Sequence, residues 1–157
     1  MKKVVYSMCI MKILVINGPN LQLLGRRKAE FYGTGTLKDL EDMLRAVAQE
    51  LEVGVDFLQS NHEGVLVDAI AAAIGQYDGI VINPAAYTHT SVALRDALEA
   101  AMIPAVEVHM SNVNARDEFR KISLTAPMCI GQIVGLGADS YEWAFRALVK
   151  KLRAAKM

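Results

Sequence analysis

The 157-residue chain has only two cysteines, Cys9 and Cys129, far apart and without a CxxC pair. That excludes a disulfide scaffold and fits a reducing compartment, the cytoplasm. Its three histidines show no metal-ligand spacing, which argues against a structural zinc site. Neither sign of charge prevails, since 17 basic residues stand against 17 acidic ones. Neutrality argues against nucleic acid or an anionic membrane as the main partner. No apolar run reaches the roughly 20 residues of a membrane span. The GxxxxGK(S/T) loop, a GxGxxG after the first apolar run and the GxSxG elbow are all missing. Their absence sets aside the common nucleotide-binding loops and the serine hydrolases of α/β type.

What is present is a globular composition, 53% hydrophobic and 22% charged, in a length that fits one domain. The opening "MKKVVYSMCI" has the two lysines and short apolar run of a signal peptide. The run meets Lys12 too soon, however, and no small-residue cleavage site follows. Residues 1–10 read as an N-terminal extension and 11–157 as a single domain, with Met11 an alternative start.

Short apolar, β-branched runs predict strands over 12–17, 53–59, 79–83, 104–109 and 129–137. Helical spacing predicts helices over 36–52, 63–76, 90–101, 114–123 and 140–155, the first opened by Thr36 with Asp39 as a capping pair. Five alternations predict an α/β fold: a five-stranded parallel sheet covered on both faces through right-handed crossovers. The irregular stretch 18–35 is long for a compact domain and reads as a lid or binding loop.

In such sheets ligands bind beyond the carboxyl ends of the strands. Those ends deliver Asn17 and Asn20, then Gln59, Ser60 and Asn61, then Asn83 and His89, then Glu107 and His109 with Ser111 and Asn112. Side chains alternate along a strand, so Glu107 and His109 share a face. A carboxylate beside an imidazole fixes its tautomer and makes a general acid–base pair; a purely structural pair is the alternative. The amides of Met110 and Ser111, ahead of the predicted helix 114–123, could bind an anion, or Ser111 or Asn112 could simply cap that helix. In the long loop, Arg26, Arg27 and Lys28 precede Tyr32. A tyrosine acting as a base at pH 7 costs about 3 pH units, or roughly 4 kcal/mol, which neighbouring guanidiniums could offset. A solvated basic loop with a packing tyrosine is the alternative. Arg116 and Arg120, four apart, would share a helix face and either reach the site or pair with Asp117 and Glu118. His62 reads as surface, and Met110, Met128 and Trp143 as packing.

Taken together, "VINGPNLQLLGRR", "QSNHEG", "NPAAYTHTS", "EVHMSNVNARDEFR" and "GQIVGLGADSY" resemble the type II 3-dehydroquinate dehydratases, in order and at the expected separations from Met11 to about residue 152. The resemblance implies a flavodoxin-like fold and an anti elimination of water from 3-dehydroquinate through an enolate, with no metal and no cofactor. It implies Tyr32 as the base at C2, with Arg27 and Arg116 keeping it ionised. Asn20 stabilises the enolate through an ordered water, His109 protonates the departing C1 hydroxyl, and Glu107 orients His109. Asn83, Ser111 and the amides of Met110 and Ser111 hold the carboxylate; His89 and Arg120 bind ring hydroxyls. Asp96 of a neighbouring subunit completes the pocket, in trimers that build a dodecamer.

Five positions, in four places, depart from the family pattern. Lys28-Ala29 stand for Glu-Pro, which gives up a fixed φ in the lid. Ala85 stands for Gly, costly only if that backbone needs a positive φ. Asn114 stands for His and Gln22 for Asn. A competing reading is a flavodoxin-like module that binds a small anion or nucleotide without chemistry. Such a module needs neither the Tyr–Arg lid pair nor Glu107 beside His109.

Overall fold

The computed structural model describes residues 10–26, 30 and 33–156. Five strands form one sheet: β1 Lys12–Asn17, β2 Gly54–Gln59, β3 Gly79–Asn83, β4 Ala105–His109 and β5 Gly131–Val134. All pairings are parallel, in the order β2-β1-β3-β4-β5. Among the described residues four helices cover it: α1 Leu37–Glu50, α2 Glu63–Ala72, α3 Val92–Ala101 and α4 Asp139–Ala155. This is the flavodoxin-like arrangement, and its strand order reverses between β1 and β3.

Alternation along the strands decides which layer each residue feeds. Ile13, Val15 and Val81 face α1 and α4 with Leu44, Phe145 and Leu148. Leu14, Ile16, Ile80 and Ile82 face α2 and α3 with Leu66, Ile70, Leu94 and Leu98. Both faces are thus dry, which is why the strands read as continuous apolar runs. Each such fully buried Leu or Ile contributes about 1.5–3 kcal/mol relative to exposure.

The predicted capping pair is present at α1, where Thr36 accepts from the Asp39 N–H and Asp39 accepts from the Thr36 N–H. The other helices and strands fall within a few residues of their expected spans. Strand β5 ends before 137 because Gly135 turns out of it at φ +92, where an added Cβ would lie 3.1 Å from Asn112 Cβ.

Two expectations are corrected. No α-helix forms over 114–123; two 3-10 turns, Val113–Ala115 and Glu118–Lys121, lie there with extended backbone at Arg116 between them. A short polar side chain competes with the helix at its start, where Asn112 accepts from the Asn114 N–H. Trp143 is not packed but 54% exposed, because the buried stripe of α4 runs through Tyr141, Ala144, Phe145, Leu148 and Leu152. Among the described residues no helix is long and apolar enough to cross a membrane.

Candidate active site

Where the strand order reverses, the loops after β1 and β3 leave a crevice. Asn17 and Asn83 are register partners at its floor. The Gly18 N–H donates to the Asn83 carbonyl at 2.8 Å, and a Cβ on Gly18 would lie 2.5 Å from the Pro84 carbonyl oxygen. Only glycine lets the loops approach that closely. Beyond it Asn20 takes a left-handed turn, φ 67, held by its N–H donating to Asn61 Oδ1 at 2.9 Å. Gln59 ties in Gln22 at 3.0 Å, so the Gln22 departure is accommodated by a hydrogen bond.

The crevice holds a cavity of about 170 Å³, below the roughly 300–1,000 Å³ of drug-sized pockets. A small polar molecule fits that size better than a nucleotide does. Of the residues singled out in the sequence, Asn20, Asn83, His89, His109, Met110, Ser111, Arg116 and Arg120 line it. Glu107 lies behind His109 with no exposed surface. Asp96 sits exposed on α3 and does not line the cavity. Arg27 and Tyr32 lie outside the described residues, as do Lys28, Ala29 and residues 1–9. His62 is exposed at the start of α2.

Glu107 Oε1 accepts from His109 Nε2 at 2.7 Å, so the proton on that nitrogen points away from the cavity and Nδ1 is the nitrogen left to face it. Burial alone would push the Glu107 carboxyl up. The hydrogen bonds from His109, Thr125 and Thr88 outweigh it and hold the group down at about 2. It is an anion at neutral pH. Burial, then the Glu107 charge, pushes the neighbouring Cys129 thiol up to about 12.

Asn83 and His89 are each committed to one kind of bond. Asn83 Oδ1 accepts from the Ala85 N–H at 3.0 Å, and Asn83 Nδ2 donates to the Tyr141 hydroxyl at 2.7 Å. Tyr141 in turn donates to Asn17 Oδ1 at 2.7 Å; burial pushes its phenol up, so it keeps that proton. Asn83 therefore has one Nδ2 proton left, a donor for an acceptor group. His89 Nδ1 donates to the Ile122 carbonyl at 2.7 Å, which leaves Nε2 as an acceptor suited to a hydroxyl.

On the far wall Arg116 Nη1 donates to Ser111 Oγ at 3.1 Å. The Met110 and Ser111 amides do not lead into the helix expected over 114–123. The turn that follows is three residues long and Asn112, not Ser111, caps it, so the positive potential comes from Arg116 and Arg120. Asn114 is exposed beside an adjoining cavity lined also by Gln132 and Lys121.

Ala85, on the cavity wall, has φ 52. The backbone there does need the left-handed region, and alanine bears a cost that glycine would not. Ala85→Gly should raise stability by about 0.5–1 kcal/mol, read as a melting temperature higher by roughly 1–4 °C. A lowered melting temperature would show that the Cβ packs to greater advantage than the strain it causes.

Sequence reasoning missed the groups that hold these side chains: Tyr141 under Asn83, and Thr88, Ser123, Thr125 and Gln132 around Glu107. Gln132 alone left a signal, as the one polar side chain in the run "IGQIV", and it is the register partner of Glu107. Among the described residues no group of three or more His, Cys, Asp or Glu is placed to hold a metal ion.

The family model described as dehydroquinase class II matches residues 11–149. The chain is 57% identical over 143 residues to the 3-dehydroquinate dehydratase of Gloeobacter violaceus, covering 91% of this chain and 89% of that one. It is 50% identical over 144 residues to the 3-dehydroquinate dehydratase of Bacillus cytotoxicus, covering 92% and 99%. Its fold superposes on the crystal structure of a type II dehydroquinase from Butyrivibrio crossotus with a TM-score of 0.87, at 50% identity over 88% of this chain and 97% of that one.

Proposed function

The chain belongs to the class II dehydroquinases, and on that premise we propose that it dehydrates 3-dehydroquinate to 3-dehydroshikimate by anti elimination through an enolate. The observation that carries the mechanism is the His109 ring. Its Nε2 is tied 2.7 Å from a buried, anionic Glu107, and its other nitrogen faces a cavity of small-molecule size.

Tyr32, kept ionised by Arg27 and Arg116, removes a proton from C2, and the electron pair moves onto the C3 carbonyl oxygen as an enolate. Asn20 stabilises that oxygen through an ordered water. The enolate then collapses to the C1–C2 double bond. The C1 hydroxyl leaves as water with a proton taken from His109, which Glu107 keeps oriented. The free Nδ2 proton of Asn83, Ser111 and the Met110 and Ser111 amides receive the substrate carboxylate. His89 accepts from a ring hydroxyl and Arg120 donates to another. Asp96, which points outward from α3, reaches the site of a neighbouring subunit within trimers that form a dodecamer. The enzyme works in the cytoplasm, in the shikimate pathway or in quinate catabolism. Residues 11–157 make its single domain, preceded by the extension 1–10.

The test is growth of enone absorbance on adding 3-dehydroquinate to the purified oligomer, with a chelator and borohydride present. Sustained turnover supports the cofactor-free lyase and rules out a lysine Schiff base. Absence of turnover in folded, oligomeric protein would favour a binding module.

A further inference from the structure

Five side chains converge on the buried carboxylate of Glu107, more than its roughly four lone-pair sites can serve. Oε1 receives His109 Nε2 and Thr88 Oγ1, each at 2.7 Å, and Gln132 Nε2 at 2.9 Å. Oε2 receives Thr125 Oγ1 at 2.5 Å, while Ser123 Oγ lies 3.0 Å from Oε1 and farther off, at 3.3 Å, from Oε2. Ser123 has one hydroxyl proton and a nearer acceptor, Thr88 Oγ1 at 2.7 Å, while it accepts from the Ala126 N–H at 2.8 Å. Thr125, itself without exposed surface, is therefore the group that fixes Oε2.

The same short segment seats the second imidazole. The Ile122 carbonyl accepts from His89 Nδ1 at 2.7 Å, and the Leu124 N–H donates to the Thr88 carbonyl at 2.7 Å. One strap, residues 122–125, thus touches both histidine supports.

We propose that Thr125 is a positioning residue that acts on His109 through Glu107: by pinning Oε2 it stops the carboxylate from rotating, holds Oε1 against Nε2, and so delivers Nδ1 into the cavity. The inference rests on His109 being the acid of the proposed reaction. A carboxylate free to turn about its Cγ–Cδ bond would present Oε1 to Nε2 only part of the time. The imidazole would then tilt by a fraction of an ångström, enough to spoil proton delivery.

The experiment uses the full-length oligomer and compares Thr125→Val, which keeps the shape and removes the hydroxyl, with Thr125→Ser, which restores it. Three quantities are read: kcat, KM and the proton resonance of His109 Nε2–H in ¹⁵N-histidine-labelled protein. In Thr125→Val, kcat should fall by about 10- to 100-fold with KM within about threefold, and the resonance should move. Thr125→Ser should return both towards the parent. A resonance that stays in place, or a KM that rises as much as kcat falls, overturns the proposal. If Thr125→Val does not fold, Thr125→Ala removes the same hydroxyl with less bulk in the buried site. Here too a displaced resonance with lowered kcat supports positioning through Glu107, and an unmoved one overturns it. The resonance is independent of turnover. Full turnover in His109→Ala would remove the acid role on which the inference rests, whatever the resonance does.

Discussion

Tyr32→Phe should abolish both turnover and the exchange of the substrate's C2 hydrogen with solvent, whereas His109→Ala should abolish turnover and leave that exchange in place. The contrast follows from an elimination in two steps. Removal of the C2 proton needs only a base and a stabilised enolate oxygen, and neither is His109. Expulsion of the C1 hydroxyl needs a proton, and in the proposed mechanism His109, which lines the cavity with Nε2 held by Glu107, is the donor for it. Loss of a general acid costs about 10²–10⁴-fold in kcat. Loss of the base should cost at least as much, because nothing else in the proposed site takes up the C2 proton. KM should change little in either variant, since the proposed binding contacts are those of Asn83, His89 and Arg120. The double variant should be no worse than Tyr32→Phe alone, because the second step cannot be reached without the first. Deuterium incorporation at C2, followed beside enone absorbance, separates the outcomes. Exchange lost in His109→Ala as completely as in Tyr32→Phe would mean a concerted elimination and would remove the enolate. Binding lost together with turnover in Tyr32→Phe would make Tyr32 a structural residue.

Much of the arrangement was open to a reader of the sequence, for a physical reason in each case. Strands buried on both faces leave uninterrupted apolar runs, so β1, β3 and β4 announced themselves. The two-residue period of a strand placed Glu107 and His109 on one face, and they meet at 2.7 Å. The failures are those of competing local bonds and of tertiary docking. Residues 114–123 have helical spacing, but Asn112 takes the Asn114 N–H, and two 3-10 turns form with extended backbone at Arg116 between them. Thr88, Ser123 and Thr125 come from two separate loops, and no period in the chain says that they close on one carboxylate. Tyr141 reaches Asn17 across 124 residues. For Ala85 the sequence posed the question of its φ, and only the backbone could answer it. The supports of the reactive side chains were thus less legible than the side chains themselves. Supports are chosen by where loops dock, reactive groups by where strands end.

The best-supported of these side chains, Glu107, should also leave a signature in acid. Its carboxyl titrates at about 2 in the folded chain against an ordinary value of 4.5. Above pH 4.5 both folded and unfolded chains are ionised, and the native state has the whole benefit of the donors around the carboxylate. As pH falls below 4.5 the unfolded chain takes up the proton first, so stability drains away until about pH 2, where the folded group protonates as well. The displacement corresponds to about 3 kcal/mol, with about 2 kcal/mol of it gone by pH 3. The group has no exposed surface, so solvent does not screen the effect away. In Glu107→Gln no proton is taken up at that position, and an amide donor is set among donors, which leaves buried protons without acceptors. That variant should start less stable at pH 7 and lose less on acidification, so the two curves of unfolding free energy converge between pH 4.5 and 3. Urea unfolding at one protein concentration, repeated across that range, measures the convergence and holds the contribution of assembly fixed. Curves that stay parallel would mean that Glu107 ionises in the folded chain as it does in the unfolded one, and that its cage of hydroxyls does no more than fill space.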